Sequence, residues 1–137
     1  MQVQPILVFN GRCEEAFAFY REALGAEVTM MMRWKESPDP AMRAKTRDVA
    51  EKIMHATFRV GKTTLMATDG MTASNAPEFK GITLALEVPD KAEAKRVFAA
   101  LSEGGQVQMP LAKMFWSPST GAVADRFGVS WMVNTKA

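Results

Sequence analysis

Apolar residues recur along this chain with two different periods, and the places where the period changes mark its elements. Residues 3–9, VQPILVF, read as a first strand. In CEEAFAFYREAL, 13–24, Phe17, Tyr20, Ala23 and Leu24 fall on one helical face, with Glu14 and Glu15 early, where the helix dipole favours anions. Gly25 ends that helix, since glycine takes up the left-handed conformation that closes one. AEVTMMMRW, 26–34, is a second strand. The polar, proline-broken run 35–51 reads as an excursion over the surface, and KIMHATFRV (52–60) with TTLMATD (63–69) as a hairpin. A polar loop, 70–80, ends the first half. Both polar runs hold prolines (Pro38, Pro40, Pro77) among small and charged residues, and are expected to be the most mobile segments, suited to act as lids.

The same order then restarts. GITLALEV, 81–88, is a strand, and Asp90 with Glu93 makes a capping-box-like start for the helix KAEAKRVFAALSE. Gly104-Gly105 stops it, and strands are expected near 106–109, 113–117, 121–125 and 130–134. GAEVTM at 25–30 and GGQVQM at 104–109 share Gly, Val and Met at one spacing, and the same offset sets Phe19 on Phe98 and Leu7 on Leu86. An internal repeat of a strand–helix–three-strand unit explains the match. No Gly/Ser linker divides the halves, so the expectation is one domain over 1–137, with modules of about 1–70 and 80–137 sharing a core.

Strand alternation assigns two faces to each strand. In 52–60, His55, Thr57 and Arg59 oppose Met54, Ala56 and Phe58; in 63–69, Thr64, Met66 and Thr68 oppose Leu65 and Ala67. In 81–88, Thr83 and Glu87 oppose Ile82, Leu84, Leu86 and Val88; in 130–134, Ser130, Met132 and Asn134 oppose Trp131 and Val133. Each strand therefore has an apolar face for the helices and a mixed face for a pocket.

Composition narrows the classes. At 137 residues, with 23% charged and 47% hydrophobic, the chain suits a single globular core rather than a disordered segment. The apolar runs fall short of the roughly 18 residues a membrane helix needs, and MQVQPILVFNGR has no basic leader, so no secretory signal is expected. One cysteine, Cys13, excludes an internal disulfide framework and fits a reducing cytoplasm. It has no histidine nearby and starts a helix, which favours packing over nucleophilic work. The net charge is +2, and the cationic cluster Arg43, Lys45 and Arg47 is interleaved with Asp39, Asp48 and Glu51. Nucleic acid would need an unbalanced basic stripe, so it is not expected as a partner.

The motifs ILVFNGRCEEAFAFYREALGAEV, DVAEKIMHATFRVGKTTLMATDG, KAEAKRVFAALSEGGQVQMPL, FWSP and DRFGVSWMVN together resemble the PhnB-like branch of the vicinal oxygen chelate superfamily, also called the glyoxalase/bleomycin resistance/dioxygenase group. The resemblance covers nearly the whole chain. It implies an α+β fold of two paired βαβββ modules, whose curved mixed sheet surrounds a cavity, and commonly a homodimer. A methyltransferase name attaches to some of this branch, but the chain contains no GxG, so a nucleotide-loop methyltransferase is unsupported.

Metal-dependent members of that superfamily carry His, Gln or Glu ligands on the first and last strands of each module. By position those places fall on Pro5 (or Gln4, if the first strand slips by one), Met66, Thr83 and Met132. Imidazole and carboxylate suit borderline or hard ions and a thioether suits Cu(I), so this set would not hold nickel, zinc, iron or manganese. A neutral, apolar replacement is what a metal-free descendant should contain, because a carboxylate buried without its cation is costly. A methionine site for Cu(I) is conceivable, yet with 11 methionines in the chain packing is the simpler role. No metal and no cofactor are expected.

His55, the only histidine, is the candidate for acid–base work, and Arg59 for binding a ligand's carboxylate or phosphate. Against this stands the plainer reading that His55 hydrogen-bonds across strands while Arg59 reaches solvent or Glu87. The pocket-lining candidates are Met66, Thr83, Met132, Trp116, Arg59, Thr64 and Ser130. Trp116 either stacks on a ligand or closes the sheet edge. Asp125 and Arg126 are expected to set a hairpin turn, and Asp69 and Glu87 to reach solvent or pair with Arg59. Three functions follow: a metal-independent protein binding or transforming a small, partly apolar molecule; a metal-dependent lyase, isomerase or dioxygenase with ligands such as His55 and Glu87; or a drug-sequestering protein, against which the +2 charge weighs. A homodimer is expected to cover strand edges and apolar surface such as Trp34 and Phe115.

Overall fold

Two four-stranded mixed sheets, each with one face against a helix, account for the chain in the computed structural model, which describes residues 1–72 and 78–136. They belong to two compact units, Met1–Pro77 and Glu78–Ala137.

In the first unit, β1 (Ile6–Val8) leads into α1 (Cys13–Leu24), then β2 (Glu27–Arg33), a short helix α2 (Pro40–Lys45), β3 (Ile53–Val60) and β4 (Thr63–Thr68). The sheet order is β1-β4-β3-β2, with β1 parallel to β4 and the other pairs antiparallel. α1 buries Ala16, Phe17, Tyr20 and Ala23, and Phe58 of β3 receives the rings of Phe17 at 5.4 Å and Tyr20 at 6.3 Å between centroids. Gly25 closes the helix at φ 67° and donates its N–H to Arg21.

The second unit repeats the plan: β5 (Thr83–Val88), α3 (Lys91–Ser102), β6 (Gln106–Met114), β7 (Ser117–Ala124) and β8 (Ser130–Thr135), in sheet order β5-β8-β7-β6. Asp90 caps α3 by accepting from the Glu93 N–H at 2.8 Å. Gly121, on the strand that faces α3, lets Phe98 approach so closely that an added Cβ would stand 2.7 Å from its ring.

The repeat holds at the level of register. Ile6 pairs with Met66 and Leu7 with Ala67; Ala85 pairs with Met132 and Leu86 with Val133. The shared Val-x-Met motif marks a register shift in both copies, between Val28 and Met30 and between Val107 and Met109. One extra residue at those points twists each outer strand.

Several expected boundaries change. The expected strand at 3–9 shrinks to Ile6–Val8, and the excursion 35–51 contains α2, started by Asp39 accepting from Ala41 N–H with Pro40 at the first helical position. Strands expected at 106–109 and 113–117 are one strand, β6, which runs through Pro110. An edge strand tolerates a residue without an N–H, and β6 is at the edge of its sheet. Trp34, expected on the surface, is 6% exposed and donates its indole N–H to the Gly70 carbonyl at 2.8 Å. The expectation of a mobile loop at 70–80 falls in part on residues 73–77, which lie outside the described residues.

Candidate functional site

Cross-strand partners point to the same side of a sheet, so the pairing registers build the mixed faces residue by residue. In the first unit the central row runs Ile6, Met66, Thr57, Met30 across β1, β4, β3 and β2. In the second it runs Ala85, Met132, Ala122, Met109 across β5, β8, β7 and β6. Met66 and Met132 thus hold one place in the repeat, as do Met30 and Met109. Leu65, Ala67, Ala56 and Phe58, and likewise Trp131, Val133 and Val123, are buried on the opposite faces. Thr64, Met66, Ser130 and Met132 are half-buried, and Thr83 is exposed.

The sequence candidates fall on these two faces in separate groups. In the first unit, Thr64 lies directly opposite Arg59, Met66 opposite Thr57, and His55 opposite Met32. In the second, Thr83 lies directly beside Ser130. His55 is half-buried, and among the described residues no hydrogen-bond partner meets its imidazole, so the expected cross-strand bond is not formed. Arg59 pairs with Glu27, its opposite number on β2, at 2.9 Å rather than with Glu87. Glu87 lies 3.9 Å from Lys136.

Trp116, at the turn between β6 and β7, stands edge-to-face with Phe115 at 4.8 Å and directs its indole N–H at Asn134 Oδ1, 3.4 Å away. Thr120 donates to the same oxygen at 2.7 Å. Alternation had set Asn134 on the mixed face, but neither it nor Thr120 stood out, because only the return of β7 alongside β8 brings Trp116, Thr120 and Asn134 together.

Two buried carboxylates organise loops. Asp125 accepts from the N–H groups of Phe127 and Val129 and from the Trp131 indole, at 2.9–3.1 Å, and so sets the turn as expected. Asp69, expected to reach solvent or Arg59, is 3% exposed and accepts from the N–H groups of Gly11, Cys13 and Ile53, each at 2.9 Å. A carboxylate at the end of β4 is close to three unpaired backbone donors, which satisfy it better than one mobile cation would.

A cleft of about 540 Å³ beside this junction is lined by Glu14, Glu15, Arg33, Glu51 and Lys52. Its cations are already engaged: Arg33 bonds Glu14 and the Glu51 carbonyl, and Lys52 bonds the Gly11 carbonyl. The Arg33 hydrogen bond holds the Glu14 carboxyl below its ordinary range. Burial, reinforced by Asp69 and Glu14, pushes the Cys13 thiol far up, so it is no nucleophile.

The places that hold a divalent ion in metal-dependent vicinal oxygen chelate proteins fall here on Pro5 or Gln4, Met66, Thr83 and Met132; none offers imidazole or carboxylate, and one amide beside two thioethers and a hydroxyl does not fit such an ion. Among the described residues, no three His, Cys, Asp or Glu side chains come together as an alternative set. Among the same residues, no helix is long and apolar enough to cross a membrane.

The family model of the glyoxalase/bleomycin resistance protein/dioxygenase superfamily matches residues 2–133. The chain belongs to that superfamily. Protein YjdN of Escherichia coli K12 is 34% identical over 145 residues, covering 98% of this chain and 95% of YjdN. Protein PA1353 of Pseudomonas aeruginosa, a crystal structure, is 47% identical with a TM-score of 0.85, over 99% of this chain and 98% of that one. The PhnB protein of Bacillus cereus is 26% identical with a TM-score of 0.79, over 98% and 99%. The resemblance to the glyoxalase group and to its PhnB-like members, and the α+β fold of paired βαβββ modules, therefore hold.

Proposed function

We propose that this superfamily member binds or transforms a small, partly apolar molecule without a metal ion, on the mixed faces that carry Met66, Thr64, His55 and Arg59 in one module and Met132, Thr83, Ser130 and Trp116 in the other. In this reading the two modules work as one domain over 1–137. The observation that carries it is the chemistry of the four ligand places. Thioethers at the centre of both half-buried faces supply soft apolar contact, and neighbouring hydroxyls supply adaptable hydrogen bonds. His55 has an imidazole free of protein partners among the described residues and is the group available for proton transfer.

Methyl transfer, suggested in the Bacillus protein's name, gains no support from a chain without GxG. A homodimer is part of the proposal, because Phe115 is 98% exposed and the edge strand β6 also exposes Val107. So is a cytoplasmic setting, consistent with a single buried thiol.

Native mass spectrometry of the purified protein tests these points together. The expected species is two 15.1 kDa chains carrying an organic molecule that denaturation releases, with well under one nickel, zinc, iron or manganese ion per dimer. A metal ion per chain that disappears in His55→Ala would overturn the metal-free reading. The monomer mass at micromolar concentration would overturn the dimer.

A further inference from the structure

We infer that Asn134 is a ligand-orienting donor and that, with Trp116, it forms a subsite for the uncharged carbonyl group of a flat, apolar molecule. This rests on the small-molecule reading above and specifies one part of it.

An indole N–H donates and never accepts, so the Asn134 atom facing Trp116 is the oxygen. The Thr120 hydroxyl, 2.7 Å from that oxygen, is then the second donor. Turning the carboxamide over would set N–H against N–H at Trp116, so the indole contact selects its orientation and the Thr120 hydroxyl, free to donate, follows it. The anchor is rigid, because Thr120 is fully buried and directly opposite Asn134 in the β7–β8 ladder. The Asn134 Nδ2 group is left with two N–H donors and no acceptor among the described residues. It lies on the half-buried face that also carries Met132 and Ser130. A donor beside the accessible Trp116 ring, which stands edge-to-face with Phe115, matches a carbonyl oxygen attached to a flat ring.

Charge selects among carbonyl groups. Glu87 is the direct partner of Asn134 on β5, and its cation, Lys136, is 3.9 Å away and largely solvated. A ligand carboxylate placed at Nδ2 would meet the Glu87 charge, whereas a neutral amide, ketone or lactone oxygen would not.

The test titrates protein labelled with ¹⁵N with benzamide and, separately, with benzoate, following the Asn134 side-chain amide and the Trp116 indole N–H by NMR. Benzamide should move both signals saturably, and benzoate should bind at least about tenfold more weakly. Asn134→Asp keeps an acceptor for Thr120 and Trp116 but removes the donor, so it should weaken benzamide about tenfold. Trp116→Leu should weaken it too, through loss of the ring. Benzoate binding as tightly as benzamide, or benzamide affinity unchanged in either variant, would overturn the inference, as would no movement of either signal. Benzamide moving the backbone amide signals of Met66 or Met132 but not the Asn134 side-chain amide would sink this subsite while leaving the broader small-molecule reading in place.

Discussion

Module one and module two start their helices differently, although they share one topology and one register. α3 is capped from within its own sequence, by Asp90 accepting the Glu93 N–H. α1 has no such cap, since the preceding Arg12 makes no capping bond, and the N–H groups of Gly11 and Cys13 instead reach Asp69, at sequence separations of 58 and 56. The same carboxylate takes the Ile53 N–H, so one buried side chain ties together the β1–α1 loop, the start of β3 and the end of β4. In module two the corresponding strand-end position is Thr135, which accepts only a neutral contact from the Ser119 N–H at 3.0 Å and shares a bond with the Ser117 hydroxyl. A local cap stabilises one helix end; a distant one makes the helix start depend on the whole sheet. The Asp69 junction therefore couples the start of α1 to β3 and β4.

That contrast is most directly broken at Asp69. Asp69→Ala leaves three backbone donors without their acceptor and should cost about 3–5 kcal/mol, read as a lower urea midpoint or melting temperature. If the loss is no greater than for a helix cap, the tie is not what distinguishes module one. The second test concerns packing. Ala56 and Ala67 pair in module one where Gly121 and Val133 pair in module two, so Ala56 is matched by a glycine and Ala67 by a larger valine. Gly121→Ala would press a methyl against Phe98 and should cost about 1–3 kcal/mol by chemical denaturation. A neutral outcome would mean that α3 shifts freely away from its sheet. The smallest effect is expected for Asp90→Ala, about 1 kcal/mol, because other N–H groups at an exposed helix start still reach water. Amide exchange should show that loss confined to the first turn of α3, whereas the Asp69 variant should loosen α1, β3 and β4 together.

The parts of this architecture written in local pattern were legible in the sequence. Helical spacing and Gly25 located α1, Asp90 with Glu93 located α3, and Val-x-Met at one offset located the repeat, whose two copies prove to mark the same register shift. Alternation also placed Met66 and Met132 on equivalent faces. What escaped were features that depend on residues distant in the chain. Asp69 reads as one more polar strand-end residue until β1, β3 and α1 converge on it. Trp34 reads as surface until its indole finds the Gly70 carbonyl. Pro110 reads as a strand break unless β6 is known to lie at an edge.

The burial of Cys13 has a practical side. The chain's one thiol is fully enclosed and held protonated, so thiol-directed dyes and spin labels have no native target on the folded protein. A cysteine introduced in place of Thr64 or Ser130 would be the sole reactive position, without first removing a native one. Labels at both would make the separation of the two mixed faces a measurable distance, with and without a bound guest.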